Sequence, residues 1–231
     1  KIYYELSQKS LPSKNASPVF VLPGGPGLDH SVYQFHSIKL EEFAQVVYHD
    51  PKGCGKSTGF SLKNYQIENN ADDIHRLKNH KKKKKISLLG TSYGGIVALC
   101  YALKYPKDCD KLILVATTPS FRFIEQAKAN LASRGTPGQK IIGQHLWKGS
   151  FKSDAHASEF SRKMRTLYSV KANKSKIRAR TGKIFSHKVL NQGFKTFLRG
   201  FDYVLHLHKI KCKTLILVGK KDWITPPEQS K

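Results

Sequence analysis

Residues 86–105 read I-S-L-L-G-T-S-Y-G-G-I-V-A-L-C-Y-A-L-K-Y. A short apolar run at 86–89 enters Gly90-Thr91-Ser92-Tyr93-Gly94, and a stretch at helical spacing follows. There Gly94, Gly95, Ala98 and Ala102 make a narrow small-residue side, with Leu99 and Leu103 on another. Strand, G-x-S-x-G, helix is the pattern of a nucleophile elbow. The turn is too tight for a Cβ on either side of the serine. The serine itself is forced into a strained backbone conformation, its hydroxyl exposed at the carboxyl end of the strand. A chance Gly-Ser turn is the plain alternative. The apolar run before it and the small-faced helix after it favour a serine built to be a nucleophile.

The rest of the chain arranges itself around this unit. Residues 2–6 are β-prone, and 10–17 form a turn-rich link. Val19–Leu22 reads as a short buried strand ending in Pro23-Gly24-Gly25-Pro26-Gly27, a loop whose backbone N–H groups can approach a ligand closely. A helix is expected over 31–43 and a strand over 45–49. Ile67, Ala71, Ile74 and Leu77 are spaced for one face of a helix, and 111–116 is another buried strand. Strands alternating with helices at this spacing indicate a parallel α/β sheet. From Pro119 to about Gly200 buried-strand runs give way to helical stretches around 121–133, 155–168 and 183–198. The parallel sheet is expected to resume at 214–218. The expected organisation is a core over 1–119, a helical cap over 120–200, and the core resuming over 201–231.

Composition narrows the class. With 231 residues, 39% hydrophobic, the chain can bury one large core, and no stretch approaches the roughly 20 apolar residues of a membrane span. Position 1 is lysine and the only methionine is Met164, so a processed or excerpted start is expected. Cys54, Cys100, Cys109 and Cys212 lack metal-ligand spacing, which favours buried thiols and a reduced, cytoplasmic setting. The net charge is +25, and residues 120–200 carry 18 Lys/Arg against Glu125, Asp154 and Glu159. Such a field attracts anions. The Lys run at 81–85 has no interleaved aromatics to stack bases, so a solvated lysine-rich surface is favoured over specific nucleic-acid binding. Gly55-Lys56-Ser57 matches the end of a P-loop, but the glycine needed five residues earlier is Asp50, and Pro51 removes a donor. That pattern disfavours a nucleotide site.

Acyl transfer by a serine needs a base, an acid to orient it, and donors for the oxyanion. Asp222 follows a late strand and sits between Gly219 and Pro226, in the chain order Ser then Asp used by α/β hydrolases. The N–H of Tyr93 is the natural first oxyanion donor, and Gly25 the best second one. Gly24 and Pro26, in the same loop, are candidate substrate-binding positions. Asp50 is expected to tie its own loop together.

These motifs together resemble the proline iminopeptidase-like branch of the α/β-hydrolase fold. The likeness rests on Gly24-Gly25-Pro26-Gly27, Asp50 with Gly53-Cys54-Gly55-Lys56-Ser57, Gly90-Thr91-Ser92-Tyr93-Gly94-Gly95, and Gly219 with Asp222 and Pro226. It implies an eight-stranded, mostly parallel sheet, a helical cap, and hydrolysis of a small peptide, amide or ester through an acyl-enzyme without metal or cofactor. Three departures stand out. Pro23 replaces the histidine that opens the family's glycine loop. Trp223 stands where some members carry a glutamate for the substrate's amino terminus, and the cap offers few carboxylates. None of the ten histidines follows Asp222, where the triad histidine is expected. His206 and His208 are expected at the boundary between cap and core, and His30 near the glycine loop. A chain continuing past Lys231 is the favoured account, a catalytically inactive binding protein for an anionic partner the other.

Overall fold

The computed structural model describes residues 1–7, 16–59, 61–168 and 185–231, with the side chains of Phe35 and His36 outside the description. Six strands form one sheet: β1 (Tyr4–Leu6), β2 (Val19–Leu22), β3 (Val46–His49), β4 (Ile86–Thr91), β5 (Cys109–Val115) and β6 (Lys213–Leu217). Their order is β1-β3-β2-β4-β5-β6, with β1 antiparallel to β3 and every other pair parallel. From β2 the chain winds outward to β3, then crosses back to β4 and winds the other way. The loops after β2 and β4 therefore leave the sheet side by side, with Leu22 paired to Gly90. That is where open α/β sheets place ligands.

One face of the sheet packs on α2 (Ile67–His80) and α3 (Tyr93–Lys104). The α2 stripe is the one its spacing predicts: Ile67, Ala71, Ile74 and Leu77 are all buried. Helix α3 is buried almost all round, and its small residues let it lie close to β4 and β5. On the opposite face, α1 (Ser31–Ser37) and the turn after it bring Tyr33 and Leu40 against Val21, Val46 and Tyr48. The helix expected over 31–43 is thus shorter, and residues Ile38–Glu42 tighten into a 3₁₀ turn.

Between β5 and β6 the chain inserts α4 (Phe123–Arg134), α5 (Pro137–Lys148), α6 (Asp154–Tyr168) and α7 (His187–Lys195). Helix α5 is absent from the expectation, yet its signals are local. The Thr136 hydroxyl accepts from Gln139 N–H, the Gln139 side chain accepts from Thr136 N–H, and Pro137 opens the first turn. Part of the expected 183–198 helix lies outside the described residues.

The parallel sheet resumes at β6, one residue before the expected 214–218. Leu215, Ile216 and Leu217 are each about half exposed, because β6 is the sheet's edge and pairs only with β5 among the described residues. The described sheet has six strands where the resemblance implied eight.

Candidate active site

Ser92 sits between β4 and α3 with φ +53° and ψ −121°, a conformation that L-residues with a Cβ rarely adopt. The surroundings hold it there. Its N–H donates to the Val115 carbonyl at 2.9 Å, and its own carbonyl accepts from Gly95 N–H at 2.8 Å and from the Thr117 hydroxyl at 2.7 Å. Thr117 is a support that the sequence reading missed. Its only local mark is its place just beyond β5, in the layer of strand ends beside Ser92.

The glycine loop after β2 comes up against the serine. Gly25 has φ +117°, which a side chain would strain, and it lines the same small pocket as Ser92 and Tyr93. Gly24 lies directly under the serine: a Cβ there would come within 3.3 Å of the Ser92 Cβ. Pro26 instead packs against α7, where a Cβ on Gly193 would fall 2.4 Å from its ring. So Gly25 faces the pocket, while Gly24 and Pro26 shape the loop from beneath and behind. The Tyr93 phenol points away into the core, accepting from the Asn70 amide at 3.0 Å, and burial drives its pKa well up. Only its backbone N–H remains a candidate for site chemistry.

Ile96, Phe123, Phe194, Leu198 and Ile224 close the pocket with apolar surface, leaving about 20 Å³, room for little more than one water. Thr225 joins this lining from the loop after β6 and donates its N–H (3.0 Å) and its hydroxyl (3.2 Å) to the Asp222 carboxylate. The Ile224 N–H adds a third bond to that carboxylate at 2.9 Å. Asp222 is therefore held by its own turn, beside the residues that meet Ser92. Trp223 is fully buried, edge-on to Trp147, and its carbonyl accepts from Asn130 of α4 at 3.0 Å.

No histidine lines the Ser92 pocket among the described residues. His206 and His208 are exposed on a 3₁₀ turn before β6. His187 bonds Asp154 within the inserted helices at 2.6 Å. His30 lies near the glycine loop in sequence, but its Nδ1 meets the Asp50 carboxylate at 2.6 Å and its Nε2 lies 3.4 Å from Glu5.

Asp50 is structural, as its sequence context suggests. It accepts from the N–H groups of His30 (2.9 Å) and Lys56 (2.8 Å), so the P-loop-like octapeptide folds onto a carboxylate rather than around a phosphate. Asp29, His30 and Asp50 are close enough to share a metal ion, yet their donors are spent on one another, on Ser31 and on Lys56. Burial opposes charge on both His30 and Asp50, but their mutual hydrogen bond and attraction outweigh it, raising the His30 pKa and lowering that of Asp50. His30 then stabilises the fold fully below its unfolded pKa near 6.5, and that contribution fades as pH rises through the raised value. Asp50 contributes fully above about 3.8 and loses its share as pH falls through the lowered value. A His30→Gln variant is expected to lose the alkaline decline in Tm that the wild type shows above about pH 6.5. Superimposable Tm–pH curves would refute the pairing.

Residues 17–231 match the family described as alpha/beta hydrolase fold. A proline iminopeptidase from Pestalotiopsis fici is 30% identical over 98% of this chain and 83% of its own length. One from Clostridioides difficile is 27% identical over 98% and 80%. Among solved structures, an α/β-fold hydrolase from Bacillus anthracis aligns with a TM-score of 0.77 at 18% identity, over 98% of this chain and 81% of that one. A proline iminopeptidase from Mycobacterium smegmatis aligns at 0.72 and 17%, over 99% and 81%. At those identities the structural likeness speaks for the fold, and the sequence likeness for the family. With its β2–β4 crevice and strained serine, the chain belongs to the α/β-hydrolase fold family, in its proline iminopeptidase-like branch.

Proposed function

We propose that this protein is a serine hydrolase that cleaves a small peptide, amide or ester through an acyl-enzyme on Ser92. The observation that carries the reading is the backbone of Ser92 itself, held at φ +53° at the head of α3 and opposite Gly25. Strain of this kind persists only where the surrounding structure over-determines it, and functional sites are where it clusters. In this reading the Ser92 oxygen attacks the carbonyl carbon. The N–H groups of Gly25 and Tyr93 stabilise the oxyanion, and Asp222 is the acid that would orient a histidine base, which the described residues do not place in the pocket. Residues 120–200 act as the cap, and a cytoplasmic setting accords with four free thiols.

A neutral or anionic acyl group suits the site at least as well as a free amino-terminal residue. An ammonium group needs a carboxylate, and the insertion holds three: Glu125 pairs with Lys128, Glu159 with Lys163, and Asp154 with His187. The pocket wall at Ser92 is apolar, and Trp223 fills the position next to Asp222 with a buried indole.

A second reading, a non-catalytic binding protein for an anionic partner, is favoured by the lack of a histidine in the pocket among the described residues. A fluorophosphonate probe separates the two. Covalent label on the Ser92 peptide of the full-length protein, blocked by prior denaturation, supports the hydrolase. Absence of label, with retained binding of an anionic ligand, supports the alternative.

A further inference from the structure

Cys109 opens β5, and Cys212 immediately precedes β6, the parallel neighbour of β5. Their Sγ atoms lie 3.6 Å apart although 103 positions separate them in sequence. Both are free thiols, Cys109 buried and Cys212 partly exposed, at the amino ends of the strands and so away from Ser92. We propose that Cys109 and Cys212 are a redox modification site, closing to a disulfide that fastens the edge strand β6 to β5.

The geometry needs only a small approach. A disulfide brings the sulfurs from 3.6 Å to about 2.05 Å. The oxidant is a low-molecular-weight disulfide such as glutathione disulfide. The more exposed Cys212, as thiolate, attacks one sulfur, breaking the S–S bond and releasing one glutathione thiolate. Cys109 then attacks the Cys212 sulfur of the mixed disulfide and displaces the second glutathione. The two protein thiol protons end on the two released glutathiones, so one disulfide is consumed and one formed. Lys211 and Lys213 flank Cys212, giving an anionic disulfide a favourable approach, while Asp110 beside Cys109 is paired with Lys111 at 3.5 Å. Burial also holds the Cys109 thiol above its usual pKa, which leaves the first attack to the more exposed Cys212.

The bond matters because β6 has a single partner among the described strands and leads directly to the Asp222 turn. It would close a loop of about a hundred residues that contains the whole helical insertion. Oxidising the full chain with excess glutathione disulfide should remove two hydrogens and map to a Cys109–Cys212 peptide. Tm should rise by roughly 5–10 °C and return on reduction. Cys212→Ser should abolish both changes, whereas Cys54→Ser should leave both intact. A persistent glutathione adduct on Cys212, a disulfide mapped to another pair, or an unchanged Tm after the bond has formed would each overturn the proposal. None of these readouts depends on Ser92 being catalytic.

Discussion

Replacing Ser92 with alanine is expected to cut ester turnover by about four orders of magnitude or more, down to whatever the pocket and its amides sustain alone. Unchanged turnover would remove Ser92 from the chemistry. A second substitution shows whether the backbone is truly loaded. Ser92→Ala keeps a Cβ and hence the strain at φ +53°, so its Tm should stay near that of the wild type. Ser92→Gly removes the Cβ and lets the same dihedral be adopted freely. Net of the greater freedom of an unfolded glycine, it should gain about 1 kcal/mol, a Tm rise of a few degrees. Both variants should be inactive, but only one more stable. A glycine variant that melted below the alanine variant would contradict a strained elbow.

Gly94→Ala should do the opposite, unfolding the protein without touching a reactive group. A Cβ there would lie 2.1 Å from the Leu22 carbonyl oxygen and within 2.7 Å of the Pro23 oxygen. These are backbone atoms of a central strand end, and no rotamer change relieves them. Either α3 moves off β2 or the β2 loop is displaced, and both elbow and Gly25 go with it. The cost should be at least about 3 kcal/mol, a large part of a typical domain's stability, read as a Tm drop of about 10 °C or as insoluble expression. Gly138→Ala in α5 is the control: nothing lies within 4 Å of its new Cβ, so stability should hold or improve slightly. If Gly94→Ala melted like Gly138→Ala, the close packing of α3 on β2 would be wrong.

What could be read from the residues was whatever the chain settles locally. The apolar run at 86–89, the glycines about Ser92 and the helical stripe after them specify strand, turn and helix within some twenty positions, and all three are present. The α2 face follows for the same reason, and α5 could have been found from Thr136, Pro137 and Gln139. Asp50 was recognised as a loop-former, but not its bond to His30, because the two, 20 positions apart, meet only through the fold. Whether Leu215 to Leu217 lie at the centre or the edge of the sheet is not written in the strand itself. An apolar strand reads alike at the centre and the edge of a sheet, and neighbours decide which it is. The packing of Pro26 on Gly193 was hidden on the same ground, since its partner lies far along the chain.

That contact ties the glycine loop to the insertion as firmly as to the sheet. Ser186 N–H donates to the Gly27 carbonyl at 2.8 Å, Leu28 bridges to Phe185, and the Pro26 ring rests where Gly193 leaves room for it. The insertion is therefore no detachable accessory. Grafting a relative's helices onto this sheet to change its specificity would also re-aim the Gly25 amide. Loop and α7 have to be transplanted as one piece.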